Sequence, residues 1–156
     1  MKAIEKAASG FDRGLSCSQS MVDGFAEQYG YDAEAARRLG RAFGSGMGMG
    51  SVCGAVTGAL MVLGMAQGDA PGDNGEQEAR NRSYDLAREF VRRLETRHGS
   101  IQCLTLVGVD LSRPEGQEEA EQKGLFDTIC QPLLKSAAEI LDGILVENGY
   151  TSKNNF

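Results

Sequence analysis

The chain has 156 residues and a net charge of −6, from 22 acidic and 16 basic side chains. That length suits one domain whose core needs no disulfide staples, and four cysteines fall far below the density of a stapled miniprotein. The acidity speaks against nucleic acid as a partner, since phosphate recognition needs a basic face. There is no tryptophan and one histidine, His98, so neither a nucleophile–histidine–acid set nor a histidine-based metal site can be assembled. Twenty-one glycines with only three prolines is the unusual count, nearly twice the average glycine share.

Punctuation by capping residues and glycines predicts an all-α fold, a single-domain bundle of five to seven helices over residues 1–150. A short helix over 2–9 comes first, and its charged, amphipathic start does not read as a secretory signal. Helices follow over 16–29, ending at Gly30, and over 32–43, with Asp32 as N-cap. Residues 42–68 carry no charge, yet the apolar part, 52–66, falls short of the roughly 20 residues a membrane span needs. It reads as a buried helix over 51–67, in which Gly54, Ala55, Gly58 and Ala59 form a small-residue strip for close helix packing. A cytoplasmic location is expected.

A long amphipathic helix is predicted over 76–98, with Tyr84, Ala87, Phe90, Val91 and Leu94 on its apolar face. His98 at its end reads as a favourable partner of the helix dipole rather than a ligand. A short helix starts at Ser100 and stops near Gly108, although 103–111 is also the one stretch with any strand character. Residues 115–123 read as a solvated helix or loop. The last helix, over 127–148, carries Leu133, Leu134, Ala137, Ile140, Leu141, Ile144 and Leu145 at helical spacing. Residues 151–156 read as a flexible tail.

The cysteines are Cys17, Cys53, Cys103 and Cys130, and none belongs to a C-x-x-C pair. Spacing therefore matches neither a zinc ribbon nor a thioredoxin motif. Their settings are more telling, because each follows an N-cap candidate within one turn. Ser16-Cys17-Ser18-Gln19 is a capping box that puts Cys17 at the first helical position. Ser51 would place Cys53 at the second position and Ser100 would place Cys103 at the third. Asp127 or Thr128 would cap the helix that carries Cys130, with Pro132 in its first turn. A helix N-terminus presents unpaired N–H groups and about half a positive charge, which favours thiolate over thiol. Four such starts converging on one point would build an anionic redox or metal site.

The run Gly44, Gly46, Gly48 and Gly50 lets the backbone turn left-handed and approach a group closely before Cys53. No Walker pattern and no dinucleotide fingerprint accompanies it. Met47 and Met49 in that loop read as packing residues rather than soft ligands.

These residues resemble the C_GCAxxG_C_C family, described as redox-active on the strength of its cysteines. The resemblance rests on Gly14-Leu15-Ser16-Cys17-Ser18-Gln19, on Phe43-Gly44-Ser45-Gly46-Met47-Gly48, and on Cys53-Gly54-Ala55-Val56-Thr57-Gly58-Ala59-Leu60. Cys103 with Gly108 and Asp110, and Cys130 leading into Ala137-Ala138-Glu139-Ile140-Leu141, match its last two cysteines. The central motif reads Cys-Gly-Ala-x-x-Gly with Val52 before it, so the letter order of the family label is not reproduced literally. A related segment occurs in a dimeric haem protein, the split-Soret cytochrome, which also carries an iron–sulfur centre. The resemblance thus implies an iron–sulfur or thiol redox site and admits a homodimer; this chain has no Cys-x-x-Cys-His for covalent haem.

The expectation is a redox-active protein, an oxidoreductase or electron-transfer component, in which Cys17, Cys53, Cys103 and Cys130 bind an iron–sulfur cluster of the [2Fe–2S] type. Gly46, Gly48, Gly50 and Gly54 are the expected cofactor-binding backbone. A thiol–disulfide protein without metal, using the same cysteines as redox thiols, is the alternative. A structural Cys₄ zinc site and a non-catalytic helical scaffold are the further alternatives. The expected partner is a redox protein or a small thiol.

Overall fold

In a computed structural model, residues 2–150 are described. Among them are eight α-helices: α1 (Lys2–Ala8), α2 (Cys17–Phe25), α3 (Ala33–Gly40), α4 (Gly54–Gln67), α5 (Gly75–His98), α6 (Cys103–Val107), α7 (Pro114–Gln122) and α8 (Gln131–Glu147). No strand forms among these residues, and the 103–111 stretch opens as α6 instead. The tail expected over 151–156 lies outside the described residues.

The apolar α4 sits at the centre and packs against α2, α5 and α8, while α1 leans on α2 and α8. Met21 and Phe25 of α2, Val62 and Leu63 of α4, Phe90 and Leu94 of α5, and Leu134 and Leu141 of α8 are fully buried together. Each such side chain contributes about 1.5–3 kcal/mol of burial free energy. No helix is long and apolar enough to cross a membrane among the described residues. The small-residue strip works as its composition predicts. A methyl group added at Gly58 would stand 2.7 Å from Met21 Cβ, so α2 and α4 can touch only because that position is bare.

Several helix limits depart from the sequence pattern, for identifiable reasons. The helix expected over 51–67 begins only at Gly54, because Ser51–Cys53 is extended and paired with another loop. The 16–29 and 32–43 patterns each end in a tight 3₁₀ turn, Glu27–Tyr29 and Arg41–Phe43. Asp32 caps α3 as expected, accepting from the Ala35 N–H at 2.8 Å. Tyr84 is 52% exposed, since the first half of α5 stands largely clear of the bundle and its only buried residues are Phe90, Leu94 and the bare Gly75. His98 is the last residue of α5 and its Nε2 lies 2.9 Å from the Ser136 hydroxyl on α8.

Among the described residues, one charged group is fully buried. Asp23 of α2 takes Arg37 at 2.5 Å and Arg13 at 2.9 Å, which joins α2 to α3 and to the turn before Cys17. A buried carboxylate needs such partners, because stripping its water without them costs several kcal/mol.

Candidate functional site

Cys17 is the first residue of α2, as the capping box predicts. The Ser16 hydroxyl accepts from the Gln19 N–H, and the Gln19 side chain accepts in turn from the Ser16 N–H. Neighbouring serines lock the turn. The Ser18 hydroxyl donates to the Gly40 carbonyl at 2.7 Å and the Ser20 hydroxyl to the Ser16 carbonyl at 2.7 Å.

Cys53 and Cys103 are positioned by each other. Val52 and Gln102 form an isolated antiparallel bridge, the one place where two extended segments pair among the described residues. The Cys53 N–H donates to Ile101 O at 2.8 Å and the Cys103 N–H donates to Ser51 O at 2.6 Å. The pairing shifts both cysteines from their expected register. Cys53 is the N-cap of α4 rather than its second residue, and Cys103 is the first residue of α6 rather than its third. The loop before Cys53 is wound left-handed, with positive φ at Ser45, Gly46, Met47 and Gly48. Gly46 is required there. A Cβ on it would lie 2.4 Å from Ser51 N and 2.9 Å from Cys103 Cβ.

Cys130 does not sit at a free helix start. It ends a wide helical turn, Phe126–Cys130, that runs without a break into α8. Thr128, expected as a cap, bonds back to the Gly124 carbonyl at 3.0 Å, which is the habit of a threonine inside a helix. Three of the four cysteines are therefore at helix N-termini, and the fourth is not.

The four nevertheless line one cavity of about 310 Å³, walled by Phe11, Leu106, Val107, Leu111, Phe126 and Leu133. No charged side chain among the described residues lines it. Cys17 is half-buried and the other three cysteines are buried. Without cations nearby, the thiols set one another's proton affinity. The Cys17 thiol is driven well above the ordinary cysteine range, because its S–H serves the sulfurs of Cys130 and Cys53 and because burial adds to the effect. Cys53 and Cys130 move the other way. The hydrogen bond from Cys17 favours their thiolates, and the Ala55 and Val56 N–H groups at the start of α4 help Cys53. Burial pushes the Cys103 thiol up to about 12, with the charges of Cys53, Cys130 and Asp110 adding to it. Among the described residues, no group of three or more histidine, cysteine, aspartate or glutamate side chains is arranged to hold a metal ion.

Of the four glycines expected to face a cofactor, Gly54 lines this cavity. It lets α4 approach α2, since a Cβ there would sit 3.0 Å from Cys17 Cβ and 2.9 Å from Ser18 N. Gly46 lies behind Cys103, Gly50 faces Asp110, and Gly48 opens onto a separate surface hollow. Met49 is 68% exposed rather than packed. Sequence reasoning missed the Val52–Gln102 pair and the apolar wall from α6 and the Phe126 turn. Neither has a local signal, because both depend on segments far apart in the chain.

No curated protein and no solved structure matches the chain. Residues 15–144 match the family described as "Putative redox-active protein (C_GCAxxG_C_C)", a span that begins just before Cys17 and extends past Cys130. The chain belongs to this C_GCAxxG_C_C family.

Proposed function

We propose that the chain is a thiol redox protein in which Cys17 forms and breaks a disulfide with Cys53 or Cys130. One observation carries this reading: Cys17, Cys53 and Cys130 line one cavity, where the Cys17 thiol interacts with both of the other sulfurs. Thiols that line one cavity can form a bond once their sulfurs reach disulfide geometry. The two flanking thiols are the ones biased toward thiolate, the form that attacks sulfur. The half-buried Cys17 is the thiol that outside sulfur reaches, and the buried pair resolves it.

A second reading, an iron–sulfur cluster of the [2Fe–2S] type for electron transfer or redox sensing, draws on a different observation. Four thiols from four separate segments surround about 310 Å³ of uncharged space, where protein interiors normally close up. Cys17, Cys53, Cys103 and Cys130 would hold it, and the cluster would supply one-electron chemistry. The chain's own part would be to exclude water with the leucine and phenylalanine wall.

Purification without air, followed by iron and sulfide analysis and thiol counting, separates the two. The thiol reading expects a colourless protein with four titratable thiols. Mild oxidation should then remove two of them and yield a Cys17–Cys53 or Cys17–Cys130 cross-linked peptide. A brown protein with stoichiometric iron and sulfide, and no such peptide, overturns it in favour of the cluster.

A further inference from the structure

A second hollow of about 590 Å³ adjoins the thiol cavity. Ser16, Ser45 and Leu111 line both spaces. The residue after Ser16 in the chain is Cys17.

The chemistry of this hollow is opposite to that of the molecule. The chain carries a net charge of −6, yet two arginines, Arg41 and Arg113, line the hollow and no acidic side chain among the described residues does. Arg41 makes no ion pair among the described residues, and Arg113 reaches only the half-exposed Asp110 at 3.6 Å. The Ser112 hydroxyl and the Gln117 amide add polar groups, while Met47 and Pro114 supply apolar surface. A space of this size holds a small organic molecule rather than a bare ion. Its donors suit carboxylates, because a guanidinium binds them with two parallel hydrogen bonds.

We propose that this hollow seats the carboxylate end of a low-molecular-weight disulfide and presents its sulfur to Cys17. This proposal rests on the thiol reading of the cavity. The Cys53 or Cys130 thiolate takes the Cys17 proton, Cys17 Sγ attacks one sulfur of the ligand, the ligand S–S bond breaks, and the first half of the ligand leaves as its thiolate. Cys53 or Cys130 Sγ then attacks Cys17 Sγ, the mixed disulfide breaks, and the resolving thiol's proton leaves with the second small thiol. The protein is oxidised from a thiol and a thiolate to one disulfide, and the ligand is reduced from one disulfide to a thiolate and a thiol.

Two probes test this on the reduced full chain: oxidised glutathione, which carries carboxylates, and bis(2-hydroxyethyl) disulfide, which is uncharged. The expected result is saturable oxidation by the first. The Arg41→Gln/Arg113→Gln variant, which loses both guanidiniums, should react with it at least about tenfold more slowly. The uncharged disulfide should react with both proteins at the same rate. Equal rates for both proteins with both probes would overturn the seat and leave the thiol reading intact. If neither probe oxidises the wild type, the thiol reading fails. Calorimetry with S-methylglutathione, which has the carboxylates and no reactive sulfur, then measures the seat alone. Binding weakened about tenfold in the double variant supports it, and absence of saturable heat overturns it.

Discussion

Cys53 and Cys103 exchange backbone hydrogen bonds in a crossed pattern: each donates its N–H to the carbonyl two residues before the other, at 2.8 and 2.6 Å. This places two thiols that are 50 residues apart in the chain without help from either side chain. The cysteines remain free for chemistry while their main chains carry the geometry. The arrangement also explains why α4 cannot start at Ser51. Residues committed to a bridge cannot take helical φ and ψ.

Gly46 is the position on which this pairing depends most. Gly46→Ala should destabilise the protein by about 2–3 kcal/mol, combining a disfavoured positive φ with a clash against Ser51 N. Gly48→Ala, at φ +71 but facing open space, should cost only about 1 kcal/mol. Urea denaturation of the two variants checks the ranking. Equal losses would mean that the contact behind Cys103 is unimportant.

Gly54 and Gly64 offer a second contrast within α4. A methyl at Gly54 would meet Ser18 N and Cys17 Cβ, so Gly54→Ala should push α4 off α2 and slow formation of the Cys17–Cys53 disulfide. Gly64 is exposed and a methyl added there would have nothing within 4 Å, so Gly64→Ala should stabilise the helix by about 0.5–1 kcal/mol. Thermal melting and quantitative cross-link mapping read the two effects separately. An unchanged cross-linking rate in Gly54→Ala would remove the link between helix packing and thiol placement.

The thiols also set an alkaline limit on stability. Cys103 ionises near 9.0 when unfolded and near 12 when folded, so between those values the unfolded chain has lost a proton that the folded chain keeps. The contribution of Cys103 is full below pH 9 and is lost as the pH rises toward 12, by about 1.4 kcal/mol per pH unit. Cys17, displaced in the same direction, adds to the fall. Denaturation at pH 8 and pH 10 should show the decline, and Cys103→Ala should flatten part of it. A profile identical in wild type and variant would show that Cys103 keeps no proton in the folded state.

The readable and unreadable parts of this site divide by the range of the forces involved. Ser16 and Gln19 lie within one turn of Cys17, so the capping box specifies that cysteine's place locally. The glycines at 54 and 58 likewise announce a close helix contact four residues at a time. Cys53 departs from its expected register because that register depends on Gln102, which no local pattern can indicate. Cys130 departs from a helix start because a threonine inside a helix has the same composition as a cap. What distinguishes it is the turn that starts earlier, after Gly124 at φ +66. Tyr84 fits the apolar period of α5, yet periodicity says nothing about how much of a long helix its neighbours reach.

The bridge between Val52 and Gln102 closes a loop that contains all of α4 and α5. Such a closure spends chain entropy before packing repays it. Cys130 is the last of the four to leave the ribosome during synthesis. A nascent or damaged chain therefore carries scattered thiols with ordinary reactivity, and the Cys17 thiol meets the other two sulfurs only once the whole molecule has assembled. The cavity is in this sense a record of completed folding.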